Sequence, residues 1–171
     1  IKAASALLAN DPKKSAEHLQ KATSLTQEAL ADVRQSVGTL RSQPNQYTPL
    51  DKVVLQLFET VKTFGIEPAL EVRGVSREIS ATTYWTLYRA VQEGISNACK
   101  HSNARNLWVC LDYSAPDAVV LTVKDNGIGS DELKEGFGLM GLRERVQIVG
   151  GEFEIFSNPN EGFGFSIKVP V

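Results

Sequence analysis

The sequence predicts an α+β domain, a two-layer sandwich with helices covering one face of a mixed sheet, preceded by a long helix of coiled-coil type. Three observations carry this. A seven-residue apolar repeat runs from Leu19 to Leu40, and a polar, Pro-containing stretch, Ser42 to Pro49, closes it. Beyond that stretch, segments of period two alternate with segments of period 3.6. Strands in runs with helices inserted between them favour helices layered on one side of the sheet.

Taken in order, Ile1 to Ala9 reads as the last turns of a helix, interrupted at Asn10-Asp11-Pro12. Asp11 suits an N-cap and Pro12 the first position of the next helix. Between Lys13 and Arg41, the positions Leu19, Thr23, Thr26, Leu30, Val33, Val37 and Leu40 recur at spacings of four and three, the seam of a coiled coil or helical bundle. The two threonines weaken its centre, where Ala22, Leu25 and Ala29 flank it. There is no room for a complete partner hairpin, so the partner is expected in a second chain; a surface helix packed on its own domain is the plainer alternative. Residues 43–49 read as linker.

After the linker, Leu50 to Phe64 is an amphipathic helix ended by Gly65, and Glu67 to Arg73 a strand. Thr83 to His101 is a helix with Tyr84, Leu87, Val91, Gly94, Ile95 and Ala98 on one face and Glu93, Asn97, Lys100 and His101 on the other. Asn106 to Tyr113 and Ala118 to Lys124 are strands joined by a Ser-Ala-Pro-Asp turn. Gly136 to Val149 contains a helix, and Glu152 to Ser157 with Phe163 to Val169 forms a closing hairpin.

Composition limits the function classes. A chain of 171 residues, 42% hydrophobic, can bury one good core with a helical extension. The net charge of −2 gives no basic footprint for nucleic acid or an anionic membrane. Cys99 and Cys110 are too few for a disulfide framework or zinc site, which favours buried thiols in a reducing cytoplasm. No apolar run approaches the ~20 residues that cross a bilayer. The chain opens at Ile1 directly in helical sequence, as expected of part of a longer protein.

Four groups of residues carry chemical signals. Glu93 and Asn97 stack one above the other at a spacing of four, and Lys100 with His101 adds a cation and an imidazole, a grouping suited to phosphate and metal. Asp125-Asn126-Gly127-Ile128-Gly129 follows a strand: glycines admit close backbone approach, and a strand-end aspartate can accept from an exocyclic amine, although alone the segment is also an ordinary turn. Gly136-Phe137-Gly138-Leu139-Met140-Gly141 has the dinucleotide-binding spacing but lacks the strand that must precede it, so that reading fails. What survives is a glycine-rich loop delivering a helix N-terminus, a natural phosphate site. Asn160-Glu161-Gly162-Phe163 alone is a hairpin loop.

In order, Glu93-x-x-x-Asn97-x-x-Lys100-His101, Asp125-Asn126-Gly127-x-Gly129 and Gly136-x-Gly138-Leu139-x-Gly141-Leu142-Arg143-Glu144-Arg145 resemble the N, G1 and G2 boxes of sensor histidine kinases. The wording LYRAVQEGISNACKHSNA is similar to the nitrate-sensor-like subfamily, whose response regulators carry LuxR-type DNA-binding domains. DPKKSAEHLQKATSLTQEALADVRQSVGTLR resembles the second helix of that subfamily's dimerisation and phosphotransfer hairpin, so the resemblance covers nearly the whole chain. It implies a Bergerat-type ATP-binding fold over residues 50–171, with residues 1–42 from the hairpin, and a homodimeric, cytoplasmic kinase region in a parent that membrane anchoring would suit.

The resemblance also implies roles. Asn97 would help hold a magnesium ion bridging the ATP phosphates, and Glu93 would act as base or orient metal-bound water. Lys100 and His101 would contact phosphate; for His101 a helix-end dipole role is the alternative. Asp125 would read the adenine amino group, with Gly127 and Gly129 shaping the pocket wall. Gly136, Gly138 and Gly141 would let the loop close, while Leu139 and Gly162 are carried over as cofactor positions. For Arg143 and Arg145 a solvated face competes with a phosphate role.

Two departures stand out. The third glycine box falls on Asn160-Glu161-Gly162-Phe163, with Asn for the first glycine and Phe for the threonine, which predicts lower nucleotide affinity. Asn tolerates a left-handed backbone better than most residues. The family's phosphoacceptor histidine belongs on the first hairpin helix, and His18 lies after the hairpin turn, so this chain is expected to bind Mg-ATP without phosphorylating itself. The alternatives are another ATPase of the superfamily, such as an anti-sigma-factor serine kinase or a gyrase- or chaperone-like enzyme, and a non-catalytic dimerisation module with a decayed pocket.

Overall fold

The computed structural model describes residue 14, residues 48–130 and residues 136–171. The expectations for the Ile1 to Ala9 helix, the Asp11 cap, His18, the Leu19 to Leu40 seam and most of the linker lie outside the described residues. The chain divides into two compact units, Ile1–Pro44 and Asn45–Val171, and every element below belongs to the second.

Helix α1, Leu50–Thr63, buries Leu50, Val53, Val54, Phe58 and Val61, a stripe at helical spacing, and stops at Gly65, whose φ of 74° is left-handed. Strand β1 spans Glu67–Arg73. Helix α2, Ala81–Asn97, starts two residues before the expected Thr83, because the Ser80 hydroxyl accepts from the Thr83 N–H at 3.1 Å and caps it. It also ends earlier than expected. Ala98–Ser102 form a π-helical turn, closed by Asn103 at a left-handed φ of 51°. Strands β2, Asn106–Asp112, and β3, Ala118–Asp125, follow, then helix α3, Phe137–Ile148, and the hairpin of β4, Glu152–Asn158, and β5, Gly162–Pro170.

The five strands are ordered β1-β2-β3-β5-β4. β1 runs parallel to β2, because the chain crosses over through α2 between them, and the remaining pairs are antiparallel. The registers place Leu107, Val109 and Leu111 beside Asp125, Val123 and Leu121. These residues are buried, as are Phe165, Ile167 and Val169 on β5, while Trp108, Lys124 and Lys168 on the alternate positions are exposed. One face is therefore apolar and covered by helices, as the period-two pattern requires. Leu87, Val91 and Ile95 of α2 pack there, each worth ~1.5–3 kcal/mol when fully buried. Gly94 lets α2 approach closely: a Cβ on it would lie 2.5 Å from Val123 Cγ1. No helix among the described residues is long and apolar enough to cross a membrane.

Tyr84 and Trp85 meet edge to face at 5.4 Å, as do Trp85 and Tyr88. Among the described residues the buried Tyr84 hydroxyl has no hydrogen-bond partner, and burial pushes its phenol up. Tyr84→Phe is expected to leave stability unchanged or raise it by up to ~1 kcal/mol, since a desolvated, unpaired hydroxyl is removed. Urea unfolding measures this; a loss above ~1 kcal/mol would mean the hydroxyl has a partner.

Candidate nucleotide site

Three backbone segments converge beyond the end of β3. The π-turn supplies Ser102, whose carbonyl accepts from the Ile128 N–H at 2.8 Å. Ser102 is itself held, its hydroxyl donating to the Ala98 carbonyl at 2.8 Å and accepting from the Ala104 N–H at 3.1 Å. Gly127 lies flat on this carbonyl; a Cβ there would come within 2.0 Å of the oxygen. Asn126 ties the same loop to the start of β2. Its Oδ1 accepts from the N–H groups of Arg105 at 3.0 Å and Asn106 at 2.8 Å, and its Nδ2 donates to Asn106 Oδ1 at 3.0 Å.

The third segment is the tip of the β4–β5 hairpin. Its Asn160 N–H donates to the Ile128 carbonyl at 2.7 Å, and Asn160 takes the left-handed conformation, φ 61°, that asparagine tolerates. Gly129 abuts the Asn158 carbonyl, and Gly162, φ 86°, abuts the carbonyl of Asp125; a Cβ at either would lie 2.0 Å from that oxygen. The Ser157 hydroxyl accepts from the Ser130 N–H and donates to the Gly162 carbonyl, both at 2.9 Å.

Asp125 sits where these segments meet. It is only 3% exposed, and its Oδ1 accepts from the N–H groups of Gly127 at 2.7 Å and Phe163 at 3.4 Å. Oδ2 carries neither bond. Burial pushes the carboxyl above its ordinary value, opposed by the two backbone donors and by Lys124. A buried acceptor with one oxygen uncommitted suits a ligand's N–H.

Glu93 and Asn97 lie half-buried near the end of α2. The Glu93 carboxylate packs against the first turn of α3: a Cβ on Gly138 would lie 2.1 Å from Glu93 Oε1. The N-cap residue of α3 is Gly136, which has no side chain to cap it. Lys100 and His101 are exposed within the π-turn. Its wider i→i+5 winding takes them off the straight α-helical face expected for them, and such turns recur at functional sites. Among the described residues nothing lies within 4 Å of a Cβ built on Gly136 or Gly141, and Leu139 is buried in the core. Arg143 is half-buried. Its guanidinium donates to the Phe153 carbonyl at 3.1 Å and lies 4.8 Å above the Phe153 ring, bracing α3 on β4; Arg145 is exposed.

Sequence reasoning missed Asn126, Ser157 and the backbone N–H of Phe163. Asn126 was findable, since asparagine before glycine in a turn bonds nearby backbone; nothing in the local pattern marks Ser157. A cleft of about 580 Å³ lies elsewhere, lined by Glu78, Ile79, Ser80 and Thr83 at the start of α2 and by Ile148 and Pro170. None of the candidate residues lines it.

Residues 84–171 match the family model described as histidine kinase-, DNA gyrase B-, and HSP90-like ATPase, and residues 1–45 match a histidine kinase model. The sensor histidine kinase LnrJ of Bacillus subtilis is 31% identical over 90% of this chain and 38% of its own length. The signal transduction histidine-protein kinase/phosphatase DegS of Brevibacillus brevis is 33% identical over 86% of this chain and 39% of its own. The chain thus spans under two fifths of these relatives. The histidine kinase domain of the Erythrobacter litoralis EL346 blue-light activated histidine kinase superposes with a TM-score of 0.58 at 19% identity, covering 74% of this chain and 63% of that one, a likeness of fold. With the ATPase match over the Asp125 site and the histidine kinase match ahead of it, the chain belongs to the sensor histidine kinases within the histidine kinase-, DNA gyrase B- and HSP90-like ATPase family.

Proposed function

We propose that residues 50–171 bind Mg-ATP as the kinase domain of a two-component sensor and deliver its γ-phosphoryl group to a histidine nitrogen, with ADP as the leaving group. A response-regulator aspartate then takes the phosphoryl group. The observation that carries this is the buried Asp125 carboxylate with Oδ2 uncommitted, at the junction of three backbone segments. Oδ2 accepts from the purine amine. Glu93 acts as base or orients water beside the phosphates, while exposed Lys100 and His101 neutralise and bond phosphate oxygens.

Among the described residues no group of three or more His, Cys, Asp or Glu could hold a metal ion. A single amide oxygen, that of Asn97, together with phosphate oxygens nonetheless suits magnesium, which prefers few protein ligands. When bound, the ion covers phosphate charge. Residues 1–42 serve as the end of the first helix and the second helix of the dimerisation and phosphotransfer hairpin of a homodimer, 43–49 as linker, with a LuxR-type regulator as partner in the cytoplasm.

The test is calorimetric. Asn97→Ala is expected to weaken Mg-ATP binding ~10-fold or more while ATP in excess chelator binds both proteins alike. Equal Mg-ATP heats for wild type and variant would instead favour a module that does not use the nucleotide.

A further inference from the structure

Ser157 lies on β4 directly across from Phe163 on β5. Its hydroxyl makes two bonds, accepting from the Ser130 N–H and donating to the Gly162 carbonyl, each at 2.9 Å. The Gly162 carbonyl and the Phe163 N–H belong to the same planar trans unit, so they point in opposite directions and turn together. At one edge of that plane the Gly162 carbonyl accepts from Ser157; at the opposite edge the Phe163 N–H donates to Asp125 Oδ1.

Two features bear on how firmly this peptide is held. Gly162 has a φ of 86°, and a residue without Cβ moves between backbone regions at little steric cost. The bond from Phe163 to Asp125 is 3.4 Å long, near the limit for an N–H···O contact, so a modest rotation breaks it. The Ser157 hydroxyl holds the plane at the carbonyl end.

We propose that Ser157 is a positioning residue of the nucleotide site: by fixing the plane of the Gly162–Phe163 peptide it holds Asp125 Oδ1 and thereby aims Oδ2 at the purine's amine. This rests on the reading of Asp125 given above. Ser157 touches no ligand atom itself; it acts through a backbone unit.

Affinities of the full chain for Mg-ATP and for Mg-ITP, whose purine carries a carbonyl oxygen in place of the amine, test it in wild type and in Ser157→Ala, Ser157→Val and Ser157→Thr. Threonine keeps the hydroxyl and valine is its near-isostere without one, so that pair separates hydroxyl from shape. The preference for ATP over ITP is expected to fall ~10-fold in Ser157→Ala and Ser157→Val, the equivalent of one lost, well-placed hydrogen bond, and to persist in Ser157→Thr. An equal loss for both nucleotides, as from general loosening of the hairpin, overturns the proposal, as does an unchanged preference in Ser157→Val. If wild type itself shows no preference, the reading of Asp125 fails first, and that outcome is visible before any variant is compared.

Discussion

A single methyl group at position 127 is expected to lower stability by ~2–4 kcal/mol and to take nucleotide binding below detection, combining overpacking with one lost backbone bond. The Cβ of Gly127→Ala would lie 2.0 Å from the Ser102 carbonyl oxygen and 2.6 Å from its Cβ. Neither neighbour can retreat: Ser102 is buried, and its hydroxyl is bonded on both sides of the π-turn. The loop must lift instead, breaking the Ile128 to Ser102 bond and moving Asp125 with it. Gly141→Ala is the matched control. Its Cβ would meet nothing within 4 Å among the described residues, and it lies inside α3, where alanine is favoured by ~1 kcal/mol, so stability should hold or rise. Chemical denaturation with calorimetry on both variants checks this; similar losses in the two would mean that glycine flexibility, not contact, is what matters.

Asp125→Asn is expected to separate stability from binding. The substitution keeps an acceptor for the Gly127 and Phe163 N–H groups but sets donor against donor where Oδ2 meets the purine amine. ATP affinity should fall on the order of 100-fold, the loss of a charge-assisted bond. Folding should not suffer. Burial raises the Asp125 pKa, so the folded chain binds the proton more tightly than the unfolded one. The group's contribution to stability is therefore fully present below its unfolded value of about 4 and lost as pH rises through the raised folded value. Relative to wild type the variant should gain stability from about pH 4 upward and match or exceed it at neutrality. Melting curves across pH check the sign, and a variant that loses ground as pH rises would contradict it.

The central strands were legible because one face of β2, β3 and β5 is buried. Val119, Leu121 and Val123 alternate with Val120, Thr122 and Lys124, and the sheet reads the same alternation. Motif spacing likewise grouped Glu93, Asn97, Asp125 and the glycines as one expected site. The π-turn was not legible, because Ala98 to Ser102 carries no proline or glycine to mark a change of winding. The function of Gly127, Gly129 and Gly162 was legible only as permission for close approach; which carbonyl each one meets depends on segments distant in the chain. Arg143 could not be assigned for the same reason, since its acceptor is a backbone oxygen ten residues on.

The strand order bears on when the site exists at all. β1 pairs with β2 across the whole of α2, and β3 pairs with β5 from Ala118 opposite Pro170 to Lys124 opposite Gly164. Such non-local pairings close slowly, because loop-closure entropy is lost before the contacts form. The Phe163 N–H reaches Asp125 Oδ1 only once β5 has docked on β3. Binding competence is thus a late product of folding, and a nucleotide that recognises only the docked state stabilises the domain chiefly by delaying its opening.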